Sequence, residues 1–178
     1  TQAHSGAYLA TELAKERGRQ AKEPLFMYVH YNEPHRAYYP PLPYLDRFTA
    51  DLPMSGSEAA EIAMDVHHNL IDIVANGCNL SEEELAALKT MYDAEIAYTD
   101  DRVGMLYDRV QEELNDTIVV ITADHGELFG EDDMLAHKYS MHNDVLHVPM
   151  GVQGLSDLTD EGVIQHSDVL STLLSVAG

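Results

Sequence analysis

Apolar and polar positions alternate along this chain in blocks that predict helices and short strands in turn. From about Ala7 to Gln20, Tyr8, Leu9, Glu12, Leu13 and Glu16 recur at spacings of three and four, the period of a helix. Pro24 ends that pattern, and Leu25-Phe26-Met27-Tyr28-Val29-His30-Tyr31 reads as a short buried strand. The prolines at 34, 40, 41 and 43 then predict a loop without regular structure. A second helix is predicted from Ser57 to Asn76, with Ile62, Val66, Leu70, Ile71 and Val74 on one side and Gly77 at the left-handed position that ends it. Ser81-Glu82-Glu83-Glu84 has capping-box form, and its acids complement the positive end of the helix dipole. The long helix it opens carries Leu85, Leu88, Tyr92, Ile96, Val103, Leu106, Val110 and Leu114 as a stripe and ends near Asn115-Asp116. The β-branched run Thr117 to Thr122 predicts a central strand covered on both faces. A Gly- and acid-rich loop follows to about Asp144. Val145 to Val152 is a further strand candidate, placed at an edge or strand end by Pro149, and Asp168 to Ala177 a last helix. Helices alternating with apolar strands make the class α/β.

Composition narrows the function. The chain has 178 residues and a formal net charge of −21, from 31 acidic and 10 basic side chains. That field repels phosphates, which excludes unaided binding to nucleic acid or to anionic membranes. The hydrophobic fraction of 45% argues against global disorder, and no apolar run is long enough to cross a membrane. The acids are dispersed and only four lysines occur, a balance expected of a surface adapted to high salt; an ordinary acidic surface is the alternative. Cys78 is the only cysteine, so no internal disulfide forms. The sequence opens at Thr1 with no basic and apolar leader, which reads as a cut through a longer protein.

Candidate chemistry gathers where strands end. Asp124-His125 directly follows the β-branched run, and ligands in open α/β sheets bind beyond the carboxyl ends of strands. Successive residues of an extended chain point opposite ways, so both ligate one divalent cation only if the chain turns there, as Gly126 permits. The other reading is an Asp that caps a turn beside a surface His. On the following loop, Lys138 offers a point charge for an anion, or is a solvated loop charge, with His137 and His142 nearby. His35, after the first predicted strand, is placed to bond an oxyanion or protonate a leaving group, or else is a structural histidine of a Pro-rich loop.

Taken together, Tyr28 to His35, Tyr92-Asp93-Ala94-Glu95-Ile96 with Tyr98-Thr99-Asp100, Ile118 to Glu127, Leu146-His147-Val148-Pro149 and Asp168 to Leu174 resemble, in order, the sulfatases of the alkaline phosphatase superfamily. The resemblance implies an alkaline-phosphatase-like sandwich of helices around a mixed, mostly parallel sheet, here a partial domain: the C-terminal portion, over 1–178, of one catalytic domain. It implies that Asp124 and His125 are metal ligands, and that His35, His137 and Lys138 contact the sulfate of a sulfate-ester substrate, with His35 and Lys138 catalytic. His125 stands where many sulfatases have Asn, and His142 where an aromatic residue is usual. One divalent cation is implied, calcium first, with magnesium, manganese or zinc as alternatives.

The family's first-half Asp pair and its Cys-X-Pro-Ser-Arg type motif, the source of a formylglycine nucleophile, have no counterpart here. Cys78 lies in Asn76-Gly77-Cys78-Asn79 and reads as a loop or helix-end thiol. The nucleophile is therefore expected outside these residues, and the isolated chain is expected to be inactive. Two rivals to sulfate-ester hydrolysis stand beside it. One is a phosphodiesterase, phosphonate hydrolase or phosphoryl transferase on the same scaffold; the other is a non-catalytic acidic metal-binding or partner-binding domain.

Overall fold

The structure, a computed structural model, describes residues 5–22, 24–114, 116–156 and 162–177. Six α-helices and two strands are found among them, in the order α1 (Ser5–Gln20), α2 (Leu42–Phe48), α3 (Gly56–Asn76), α4 (Glu82–Glu113), β1 (Val119–Thr122), α5 (Asn143–Leu146), β2 (Met150–Gln153) and α6 (His166–Ala177).

The two longest helices start as their sequences dictate. Ser81 accepts from the Glu84 N–H and Glu84 reaches back to the Ser81 N–H, the expected capping box; Ser55 and Glu58 do the same for α3. α3 ends at Gly77, whose φ of 88° a side chain would strain. The core lies between α3 and α4 and is closed by residues 128–136. Ala59, Ala63, Val66 and Leu70 of α3 meet Ala87, Leu88 and Met91 of α4, with Phe129, Leu135, Leu45 and Tyr38 around them. The alanines let the helix backbones approach closely, and the larger side chains fill the rest. α1 packs on α4, where the Thr11 hydroxyl meets Tyr31 Oη at 3.0 Å.

Several expectations are corrected. Residues 25–31 form no strand among the described residues, and Leu25, Phe26 and Tyr28 are exposed. An apolar, aromatic run favours a strand, but forming and burying one needs a neighbouring strand. A helix, α2, begins inside the Pro-rich segment: Pro43 sits in its first turn, where the missing N–H costs nothing. In α4, Ile96 is exposed, and the buried face runs through Met91, Ala94, Glu95 and Tyr98 instead. β1 is four residues long and half-covered, and it pairs antiparallel with β2 from Val119↔Gln153 to Thr122↔Met150. This two-stranded sheet is the one sheet among the described residues, and the mixed, mostly parallel sheet of a sandwich is not seen in them. The candidate strand from Val145 splits into α5, capped by His142, and β2, which starts just after Pro149. Asn115, at the expected end of the long helix, and Thr1 lie outside the described residues.

Candidate active site beyond the first strand

Beyond Thr122 the chain turns sharply, and Gly126 makes the turn possible. Its N–H donates to the Val145 carbonyl at 2.8 Å, and a Cβ at this position would stand 1.9 Å from the Asp144 carbonyl oxygen. No other residue fits against that backbone. Asp124 and His125 are consequently side by side. Asp124 Oδ1 accepts from the His125 N–H at 3.0 Å, a turn-capping bond, while Oδ2 lies 3.8 Å from His125 Nε2. Donors sharing one cation at about 2.0–2.4 Å each are typically about 3–4 Å apart, so the pair fits one side of a coordination shell. It fills only that side: among the described residues no group of three or more His, Cys, Asp or Glu side chains converges to hold a metal ion.

Three histidines meet at this turn. The His125 and His137 ring centroids are 3.9 Å apart, and His35 is 5.7 Å from His137. Each ring commits Nδ1 to a fixed acceptor: His125 donates to the Gly126 carbonyl at 2.8 Å, His35 to the Arg36 carbonyl at 2.8 Å and His137 to Glu127 Oε1 at 3.0 Å. Carbonyl and carboxylate oxygens only accept, so all three protons sit on Nδ1. In the neutral form of each ring it is then Nε2 that carries the lone pair.

Glu127 belongs to the site although its residue type and spacing assign it no role. Residues 128–136 form a hairpin closed by the Phe129↔Leu135 bridge and by paired bonds between Leu128 and Ala136. Its register carries on to set 127 opposite 137. The signal in the sequence is Gly130, which opens the hairpin turn with a φ of 105°. Glu127 is almost fully buried and also accepts from Tyr38 Oη at 2.8 Å. Burial, and then the Glu127 charge, push the Tyr38 phenol far above its ordinary pKa, so it stays a donor.

The loop carrying His35 is held a second time by Glu95. This α4 carboxylate is 4% exposed and accepts from the Tyr39 N–H at 2.8 Å. Burial raises its pKa to about 7, against the lowering effect of that bond and with a further upward push from Glu33. Two buried carboxylates, from different elements, thus grip adjacent residues of one loop.

The structure brings His35, His125, His137 and Asp124 to one place. Lys138 follows His137 but is exposed and makes no hydrogen bond or ion pair among the described residues. His142 acts locally, at the start of α5. Its Nδ1 accepts from the Asp144 N–H at 3.2 Å, and its Nε2 is 3.4 Å from Asp132. Cys78, just past α3, bonds through its N–H to Asp133 and lies in none of these contacts.

The family model described as Sulfatase matches residues 4–178, nearly the whole chain. The chain belongs to the sulfatase family. Among curated relatives, this sulfatase chain is 27% identical to "Uncharacterized sulfatase YidJ" of Escherichia coli (strain K12), over 99% of the chain and 36% of the relative. It is 25% identical to "Multifunctional alkaline phosphatase superfamily protein PehA" of Trinickia caryophylli, over 91% of the chain and 35% of that protein. The same identity, 25%, links it to "Choline-sulfatase" of Rhizobium meliloti (strain 1021), over 97% and 36%. The chain thus spans about a third of the length of the relatives it matches. Family membership implies an alkaline-phosphatase-like α/β fold. No helix among the described residues is long and apolar enough to cross a membrane.

Proposed function

We propose that this chain supplies one half of the active site of a metal-dependent hydrolase of sulfate esters. The observation that carries the reading is the convergence of His35, His125 and His137 beside Asp124, each imidazole with Nδ1 held by a fixed acceptor. Asp124 and His125 would hold a divalent cation from one side, the remaining ligands and the formylglycine nucleophile coming from outside residues 1–178. Once bound, the cation polarises the ester oxygen and steadies the attacking group. Calcium takes oxygen donors, whereas an imidazole ligand suits zinc or manganese, so His125 weighs toward the latter pair.

The chain's own side chains then have distinct roles. Asp124 supplies negative charge to the cation and fixes the turn through Oδ1. His125 offers Nε2 because its Nδ1 proton is committed to Gly126. His35 and His137 present Nε2 toward sulfuryl oxygens or the leaving oxygen, accepting or returning a proton at that atom. Lys138 adds the mobile positive charge that a net charge of −21 otherwise denies an anionic substrate. Glu127, through Nδ1, keeps His137 in orientation.

The test is hydrolysis of matched aryl sulfate, phosphate monoester and phosphodiester substrates by the longer protein that carries this chain. Preference for the sulfate ester, lost with chelator and with Asp124→Ala, is expected. Preference for a phosphodiester would instead establish the sister chemistry on this scaffold, which the match to an alkaline phosphatase superfamily protein keeps in view. No turnover is expected from the 178 residues alone.

A further inference from the structure

Tyr38 follows His35 on the segment that leads into α2, yet its hydroxyl bonds to a residue 89 positions away, Glu127. It donates to Oε2 at 2.8 Å, while Oε1 accepts from His137 Nδ1 at 3.0 Å. One carboxylate thus bridges two donors, one at each oxygen. The ring that carries the hydroxyl is itself fixed. It is buried and meets Tyr92 edge-on and Phe129 at a tilt, with centroids 5.2 and 5.8 Å away.

The last torsion of a glutamate has a broad preference, so a carboxylate held at one oxygen can rock about it. Held at both, it presents a fixed plane. Tyr38 therefore decides whether Oε1 stays opposite His137 Nδ1. The same bond ties the segment bearing His35 to the hairpin that sets His137, two histidines whose rings are 5.7 Å apart. His137 depends on being held. Ala136 before it and Tyr139 beyond it both have left-handed backbone, with φ of 66° and 63°. That conformation is costly for a residue with a Cβ and persists only where surrounding contacts enforce it. Glu127 and the His125 ring are the contacts on the imidazole. A hydroxyl that only satisfied a buried carboxylate would serve stability alone. This one acts on the carboxylate that orients a site histidine, from the segment that carries another.

We propose that Tyr38 is a positioning residue: acting through Glu127, it fixes the His137 imidazole relative to His35 and so sets the spacing at which the two serve the reaction. It touches no substrate itself. The inference rests on the reading of this cluster as half of a hydrolase site.

Steady-state hydrolysis of an aryl sulfate and a phosphodiester by the longer protein that carries this chain, at a temperature where every variant stays folded, tests it. On whichever ester is turned over, Tyr38→Phe should lower kcat about 10–100-fold and change KM by less than about threefold. Tyr44→Phe removes the same kind of bond, to Asp101, outside the cluster, and should leave both constants unchanged. In Glu127→Ala the hydroxyl has nothing to hold, so adding Tyr38→Phe should lower kcat by less than about twofold more, where independent effects would multiply. A wild-type kcat in Tyr38→Phe, or a full further loss in the double variant, overturns the proposal. Should Glu127→Ala fail to fold, the kcat of Tyr38→Phe decides. If neither ester is turned over, the hydrolase reading falls, and nitrogen NMR of histidine-labelled protein decides the positioning by itself. His137 should then hold its proton on Nδ1 in the wild type and mix tautomers in Tyr38→Phe; an unchanged tautomer overturns the proposal.

Discussion

Glu127 and His137 face one another across the 128–136 hairpin, with Oε1 3.0 Å from Nδ1. The carboxylate side chain is 5% exposed, and among the described residues its desolvation is offset by two donors, His137 and Tyr38. The contact orients the imidazole that packs, tilted by 31°, against His125, and so joins the hairpin to the turn after β1.

Removing the second donor tests that network. Tyr38→Phe keeps the ring among Tyr92, Phe129 and the core but deletes a bond to a buried carboxylate. The loss should be about 1.5–3 kcal/mol, read as a lower urea midpoint at unchanged m. A change below about 0.5 kcal/mol would mean that Glu127 does not depend on this phenol.

Gly126 and Gly18 make a contrasting pair. A methyl at 126 would drive into the Asp144 carbonyl, so Gly126→Ala should cost at least about 2 kcal/mol and part the turn from α5. Gly18 sits in α1 with nothing near the position a Cβ would take, so Gly18→Ala should stabilise by about 0.5–1 kcal/mol. Thermal unfolding of the two variants side by side checks both signs.

What the sequence discloses follows from which signals are local. The capping box at Ser81, the helix end at Gly77 and the close approach at Gly126 are written in two to four residues each and are found in the structure, although Gly77, with φ 88° and ψ 160°, lies outside the left-handed helical region. Family membership is legible because the Asp124 to Glu127 stretch sits in order with the others. The burial of 25–31 and the sheet around β1 depend on neighbours far off in sequence, and periodicity alone does not reveal them. Glu127 and Glu95 escape for another reason. Residue type predicts exposed carboxylates, whereas a hairpin register and a loop amide hold these two inside.

The cation reading is open to direct titration. If Asp124 and His125 are ligands, Asp124→Ala and His125→Ala should each weaken zinc or manganese binding by at least about tenfold, measured by calorimetry on the folded protein. Affinity should fall as pH drops, because the bound forms are the carboxylate and the neutral imidazole. Cys78→Ala should leave binding unchanged, since that thiol lies outside the cluster. Equal affinity in all three variants would place the cation elsewhere.

Glu95 gives the fold a pH dependence of unusual sign for an acid. An ordinary glutamate loses its proton near 4.5, whereas burial on α4 holds this one to about 7. Between those values the folded chain keeps a proton that the unfolded chain has released. Its contribution to stability is therefore complete below about pH 4.5, is lost as pH rises to about 7, and is constant above that. The size is about 3 kcal/mol, appropriate for a side chain 4% exposed. The groups facing it are Glu33, whose charge adds to the shift, Tyr98 on the same helix, and the Tyr39 N–H. Glu95→Gln keeps an acceptor for that N–H and cannot ionise. The difference in unfolding free energy between variant and wild type, followed from pH 4.5 to 8, should grow in the variant's favour by about 3 kcal/mol. Acid losses elsewhere, including those of the Ser55 and Ser81 capping boxes, cancel in the difference. A flat difference would mean that Glu95 is solvated or already paired, and that the His35 loop is not held by a neutral carboxyl at low pH.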